Sequence, residues 1–293
     1  EISKLEGVPL DCITLGNGSN DLIEFSARAF LTNGDNALYF KHGFAIYPLA
    51  ILATGADLRE LPVTENYHQD LTSVINFVDK KSKVVFIASP NNPTGSANTF
   101  SEIEAMLNDL PNDLIVFLDQ AYFEYIQDEQ YKLPFDLIDK YQNLIISRSF
   151  SKAHGLAAYR LGYCISSQKI ADYLNRVRQP FNVSSFALEA GIASLNDKEH
   201  LRKSVDLNQR EKNKLMQFFK KENIEYLPTQ GNFFSFSLDT DSDETFEAFL
   251  NEGIILRSLK SYNMDRFVRV SIGQEYENDA FIEATKKIKG SRN

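Results

Sequence analysis

The sequence predicts an α/β fold, a mostly parallel sheet flanked by helices, followed by a smaller α+β unit at the C-terminal end. Three observations carry that prediction. Residues 84–88 (Val-Val-Phe-Ile-Ala), 114–118 (Leu-Ile-Val-Phe-Leu) and 144–147 (Leu-Ile-Ile-Ser) are nearly continuous apolar runs. Strands of that kind are buried on both faces, as in a parallel sheet covered by helices. Amphipathic stretches separate them, giving the strand–helix alternation that parallel pairing needs. From residue 185 the texture changes to long, charged, helical periodicity and then to alternating strand-like segments. The first unit is therefore set at residues 1–185 and the second at 186–293.

Each element has its own signal. Asn17-Gly-Ser-Asn20 precedes a helical pattern over 22–30, and Ser101-Glu-Ile-Glu104 reads as a capping box. The helix it opens must end near Pro111. Residues 163–165 form a shorter strand, and residues 185–223 are helical in pattern with no proline inside. After Pro228, the segments 233–238, 253–257 and 267–272 alternate like half-solvated strands, and a last helix covers about 278–288. No internal repeat or low-complexity segment interrupts the order.

Composition narrows the function classes. The 293 residues are 43% hydrophobic and 24% charged, ordinary for a globular chain and enough for one large domain and a smaller one. The net charge of −9 opposes nucleic acid and anionic membrane surfaces as partners. No apolar run approaches the ~20 residues that span a bilayer. The two cysteines, Cys12 and Cys164, stand far apart in no metal-like spacing, so no metal site is expected and a reduced, cytoplasmic location is.

Three segments sit at the C-terminal ends of the expected strands, where open parallel sheets place their ligands. In Ser89-Pro-Asn-Asn-Pro-Thr-Gly95 two prolines and a glycine stiffen a loop in which an Asn-Pro bond can be cis. Such a loop can hold the Asn92 amide as a donor, or can be a plain strand-to-helix turn. In Asp119-Gln-Ala-Tyr122 the carboxylate follows five apolar residues, where it needs a cation or donors. It reads either as a helix N-cap or as the partner of a protonated heterocycle, with Tyr122 beside a phenolate oxygen. In Ser149-Phe-Ser-Lys152, with Arg160 eight residues on, Lys152 is a surface lysine or a desolvated amine suited to Schiff-base chemistry. Ser149, Ser151 and Arg160 add donors fit for a phosphate.

Together, in order and type, these segments resemble the fold-type I aminotransferases related to the aspartate and histidinol-phosphate enzymes. The likeness runs from Gly16-Asn-Gly-Ser-Asn20 to Arg269-Val-Ser-Ile-Gly273. It implies pyridoxal phosphate as cofactor, Lys152 as the Schiff-base lysine and proton shuttle, and Asp119 against the pyridine nitrogen. It also implies Asn92 and Tyr122 at the ring oxygen, Phe44 stacked on the ring, and Ser19, Asn20, Ser149, Ser151 and Arg160 around the phosphate.

Gln179-Pro-Phe-Asn-Val-Ser184, Gln230-Gly-Asn-Phe-Phe234 and Gly253-Ile-Ile-Leu-Arg257 carry a likeness to the histidinol-phosphate branch. That branch implies a phosphate-ester substrate clamped by Arg257 and Arg269, with Asn182 and Asn232 lining the pocket. L-Histidinol phosphate and 2-oxoglutarate would give imidazole-acetol phosphate and glutamate, in histidine biosynthesis. An aromatic amino-acid aminotransferase, a threonine-phosphate decarboxylase-like lyase and a binding-only domain are the alternatives. The family further implies a homodimer and, ahead of Glu1, an arm that covers substrate and a tyrosine that reaches the neighbouring subunit's cofactor phosphate. Departures from the family pattern are Gln120 for its glutamate, Tyr159 for a leucine, and His154 for an aromatic. His154 reads as packing or a hydrogen bond near the lysine loop.

Overall fold

The computed structural model describes residues 1–290. Its larger sheet has seven strands: β1 (Ile13–Gly16), β2 (Asn36–Phe40), β3 (Asp57–Leu61), β4 (Ser82–Ala88), β5 (Ile115–Asp119), β6 (Leu144–Ser149) and β7 (Gly162–Ser166). They lie in the order β1-β7-β6-β5-β4-β2-β3. The five from β3 to β6 run parallel, whereas β7 is antiparallel to both of its neighbours.

Both faces are covered, which is why the strands read as unbroken apolar runs. On β4, Val85 and Ile87 enter one buried cluster with Val116, Leu118 and Ile146. Val84, Phe86 and Ala88 enter another with Phe117, Ile145 and Cys164, under the Ser19–Phe30 helix. Both cysteines are buried and free.

The helix after β4 covers Phe100–Asp109 and stops short of Pro111. Its capping box is Thr99 with Glu102, two residues earlier than the expected Ser101 with Glu104. Thr99 Oγ1 accepts from the Glu102 amide and Glu102 accepts from the Thr99 amide, so Glu104 is freed to pair with Lys140.

Two helices, Ser185–Asn196 and Lys198–Lys221, lead to a four-stranded antiparallel sheet. Its strands are β8 (Glu225–Tyr226), β9 (Phe233–Ser237), β10 (Arg257–Ser258) and β11 (Val268–Ser271), in the order β10-β11-β9-β8. The helices Ser242–Asn251 and Glu275–Gly290 pack on it. Two expectations fail here. β9 is buried at all five positions instead of half-solvated. Phe234 and Phe236 enter the local core, while Ser235 on the other face donates to the Pro93 carbonyl at 2.5 Å, so the face expected in water meets the 89–95 loop. The segment 253–257 is also no strand until Arg257. The amides of Gly253 and Ile254 instead close the end of the Ser242–Asn251 helix on Leu250 and Phe249 carbonyls, and Ile255 is left 81% exposed.

Phe219 is the hub of this smaller core, fully buried against the rings of Tyr226, Phe234, Phe236 and Phe281. Truncating such a residue removes buried area and leaves a cavity, at a cost of about 3–5 kcal/mol. Phe219→Ala is expected to lower the denaturant midpoint accordingly, as followed by circular dichroism, without altering any side chain at the strand ends of the larger sheet.

Candidate active site

The C-terminal ends of β4, β5 and β6 open into one cavity lined by, among others, Asn92, Asp119, Tyr122, Ser149, Ser151 and Lys152. The parallel order dictates this, because adjacent parallel strands deliver their exit loops to the same edge. Asp119 is the last residue of β5 and only 5% exposed. It accepts from the Tyr47 hydroxyl at 3.0 Å, the Ala121 amide at 3.1 Å and the Ser147 hydroxyl at 3.3 Å. Burial raises its pKa, and those three donors pull the other way. Asp119 is no helix N-cap, because β5 leads into a short 3-10 turn over Phe123–Tyr125 that is capped at Tyr122.

Lys152 lies in the turn after β6, its Nζ 5.2 Å from the centroid of the Tyr122 ring. Burial lowers its pKa, Arg269 and Arg160 add to the lowering, and Asp119 opposes it. The environment therefore makes the free amine, the nucleophilic form, more accessible than in an exposed lysine. Burial likewise pushes the Tyr122 phenol up, with Arg269 pulling back. Its ring is held edge-on by Phe233 at 5.3 Å.

The opposite end of the cavity is built for an anion. Ser19 and Asn20 begin the Ser19–Phe30 helix, whose first N–H groups have no partner within the helix. Gly18, with φ 82°, turns the chain into that helix, and a Cβ there would collide with the Arg160 guanidinium. Gly162 on β7 lets the helix end approach the sheet, since a Cβ there would come within 2.5 Å of the Ser19 nitrogen. Arg160 donates to the Ala157 carbonyl at 3.0 Å and reaches Ser151 Oγ at 3.4 Å. Phe44 completes the wall beside Ala88, its ring edge-on to Tyr47.

The residues expected around the substrate are placed less uniformly. Arg269 on β11 reaches across to the Asn92 side chain and donates to its amide oxygen, which leaves the Asn92 N–H groups as the expected donor. Both Ser89–Pro90 and Asn92–Pro93 are cis. Arg257 is exposed and stands directly opposite Arg269 in the β10–β11 ladder, and neither arginine is among the residues lining the cavity. Asn182 and Asn232 do not line the cavity either. Asn182 is held by the Leu15 carbonyl at 3.1 Å, Asp21 and Arg178, and Asn232 gives its side chain to Tyr125. Among the described residues, no carboxylate lies within ion-pair distance of Arg160, Arg257 or Arg269, although the chain is acidic overall. Nor, among the described residues, is any group of three or more His, Cys, Asp or Glu placed to hold a metal.

Tyr47 is the site residue that the sequence did not disclose. It is 1% exposed in the apolar Ile46–Leu52 helix, where an aromatic reads as core, and only Asp119's need for a donor points to it. The whole set fits pyridoxal phosphate. A buried carboxylate faces one end, a lowered-pKa lysine the middle, and orphan amides with an unpaired guanidinium the other end.

Known proteins agree with this geometry. The sequence model of the family described as Aminotransferase class I and II matches residues 4–284. Histidinol-phosphate aminotransferase 2 of Haemophilus influenzae is 43% identical over 287 residues, covering 98% of this chain and 78% of that protein. The enzyme of the same name from Pseudomonas fluorescens is 43% identical over 282 residues, 96% of this chain and 76% of that one. Among solved structures, histidinol-phosphate aminotransferase from Sinorhizobium meliloti in complex with pyridoxal-5'-phosphate has a TM-score of 0.92 at 23% identity, over 100% of this chain and 80% of that chain. L-threonine-O-3-phosphate decarboxylase from Porphyromonas gingivalis has a TM-score of 0.84 at 22% identity, over 99% and 87%. Those two structures show the fold, that of the fold-type I pyridoxal-phosphate enzymes.

Removing the Tyr47 hydroxyl leaves Asp119 one donor short in a buried place, which costs about 1.5–3 kcal/mol for a charged acceptor. Tyr47→Phe is expected to weaken retention of pyridoxal phosphate roughly tenfold or more, read by equilibrium dialysis. Gly18→Ala is expected to weaken it as well, by displacing Arg160.

Proposed function

The chain belongs to the class I and II aminotransferase family, and we propose that it moves the amino group of L-histidinol phosphate to 2-oxoglutarate. The products are imidazole-acetol phosphate and glutamate, and the step belongs to histidine biosynthesis in the cytoplasm. Pyridoxal phosphate, when bound, supplies a carbonyl for amines and a ring that draws electrons from the substrate Cα.

The chain's own residues do the rest. Asp119 sets a negative charge at the end of the cavity, where a proton on the ring nitrogen is favoured. Lys152 Nζ, whose pKa burial lowers with Arg269 and Arg160 adding to the lowering and Asp119 opposing it, is the base placed to take the proton from the substrate Cα. Asn92 and Tyr122 orient the ring oxygen, and Phe44 covers one ring face. Ser19, Asn20, Ser149, Ser151 and Arg160 hold the cofactor phosphate.

The substrate assignment rests on the Arg257–Arg269 pairing. Two like charges directly opposite each other on adjacent strands repel, and here no carboxylate among the described residues offsets them. A phosphate dianion beside both supplies that offset, with bidentate geometry that guanidinium groups favour. The names of the relatives from Haemophilus and Pseudomonas support the same reading. Asn182 and Asn232 act from behind, holding the 15–21 segment and Tyr125 in place.

A homodimer completes the proposal. Leu188 and Ile192 of the Ser185–Asn196 helix, with Leu10, are exposed apolar side chains around a groove floored by the buried Phe150 and Leu161, a face of the kind that pairs with a second copy.

Comparing histidinol phosphate with phenylalanine as donors to 2-oxoglutarate tests the assignment, and kcat/KM is expected to favour histidinol phosphate. Arg269→Ala is expected to cost about 2 kcal/mol, roughly thirtyfold in kcat/KM. Faster turnover of phenylalanine overturns the substrate while leaving the cofactor assignment standing. Lys152→Ala is expected to lose turnover by about 10²–10⁴-fold or more, together with the visible absorption of the bound cofactor. Retention of both sinks the lysine assignment.

A further inference from the structure

The mechanism leaves one cluster unused, directly behind the lysine turn. His154 sits inside that turn, between Lys152 and Gly155, whose backbone bond Gly155 N–H to Lys152 O is 2.9 Å. Its ring packs on Phe150 at 4.9 Å, and Nδ1 lies 2.8 Å from Ser194 Oγ. Nε2 points the other way, 3.9 Å from Glu124 Oε1, with both side chains about one-tenth exposed at 10% and 11%. Glu124 is two residues past Tyr122. The imidazole thus spans the gap between the segment carrying Lys152 and the segment carrying Tyr122.

Three buried polar atoms beside this gap have no hydrogen-bond partner: Glu124 Oε2, Gln120 Nε2 and Arg148 Nε. The Arg148 guanidinium is sandwiched over Phe123 at 3.3 Å and Phe135 at 4.4 Å, with Glu6 3.8 Å away and Gln120 Oε1 at 3.4 Å. A buried carboxyl with an orphaned oxygen is costly unless it carries a proton and gives it to an acceptor. When His154 Nδ1–H donates to Ser194, Nε2 is the acceptor facing that carboxyl, 3.9 Å from Glu124 Oε1.

We propose that Glu124 and His154 form a buried hydrogen-bonded pair that positions the Lys152 turn against Tyr122, Glu124 donating to Nε2 and Nδ1–H donating to Ser194. The electrostatics agree with that placement of the proton. Burial pushes the Glu124 carboxyl up to about 7, against the pull of Arg148 and of its own backbone amide and with a push from Glu6. Burial pushes His154 down to about 4, assisted by His200 and Arg148. Tyr163, from β7, keeps its hydroxyl on Glu6 at 3.0 Å. As pH rises through about 7, Glu124 loses its proton to solvent and its carboxylate faces a lone pair on Nε2. The pair then opens, and the turn loses its brace. Neither residue touches the reacting atoms; both act through Lys152.

The pair rests on Lys152 being the reactive amine, and the test separates it from the substrate assignment. Infrared difference titration of the holoenzyme reads the protonated-carboxyl stretch. That stretch is expected to vanish across neutrality in the native chain and to be absent throughout in Glu124→Gln. In the same preparations kcat, with whichever donor is turned over, is expected to fall on the order of tenfold above the inflection while KM holds. Glu124→Gln, whose amide donates at every pH, is expected to lose that inflection. His154→Phe is expected to lose it too, with the stretch shifted to that of a carboxyl lacking an acceptor. A stretch that survives in Glu124→Gln, or pH profiles of native and Glu124→Gln that superpose, overturns the pair. The infrared arm needs no substrate, so it stands apart from any failure of the histidinol-phosphate assignment.

Discussion

The site is organised around one carboxylate, Asp119, buried at the end of the central strand of a sheet covered on both faces. Desolvation there favours the neutral form, and the protein answers with three donors: Tyr47 from a helix on one face, Ser147 from the neighbouring strand, and the Ala121 amide. Each donor fixes a further element. Tyr47 anchors the segment bearing Phe44, Ser147 fixes the register of β6 and so the exit of the chain toward Lys152, and Ala121 sets the turn that presents Tyr122. The carboxylate orients its surroundings because it cannot be left alone.

How far this was legible depends on whether a residue's chemistry conflicts with its setting. Asp119 and Lys152 stand out because a charge following an apolar strand calls for an explanation, and the strands themselves are unmistakable as apolar runs. Tyr47 gives no such conflict, since a tyrosine in an apolar helix satisfies every local rule, and its role exists only through a contact 72 positions away. β9 misleads for the converse reason. Its serines alternate as a wetted face should, yet Ser235 and Ser237 are buried, and Ser235 meets the 89–95 loop. The capping box slipped by two residues because Thr99 and Ser101 are both good caps, and local sequence does not rank them. Arg257 and Asn182 were chosen by resemblance alone, and the structure places neither in the cavity wall.

Arginines show how setting decides role. Arg148 and Arg160 flank the lysine turn, the first on β6 and the second just ahead of β7. Arg148 points to the face away from the cavity, where aromatic rings and Glu6 surround it, and it is only 6% exposed. Arg160 points toward the helix end at Gly18 and meets a carbonyl and a hydroxyl but, among the described residues, no carboxylate. Arg160, Arg257 and Arg269 share the absence of a carboxylate partner among the described residues. The net charge of −9 therefore says little about the ligand, because the local field is set by charges left unpaired.

The seam between the two sheets adds a constraint on how substrate and cofactor can be read together. The 89–95 loop is held from the smaller unit by Ser235 on the Pro93 carbonyl, the Gln230 amide on the Gly95 carbonyl at 2.9 Å, and Arg269 on Asn92. Asn92 thus faces the cofactor cavity while bonded to the arginine expected to grip substrate. An anion that draws Arg269 toward itself must loosen or redirect that bond, and the Asn92 amide is then free to turn its N–H toward the cavity. The loop that carries it is stiffened by Pro90 and Pro93 and tied down by Ser235 and Gln230, which leaves the Asn92 side chain as the part able to move.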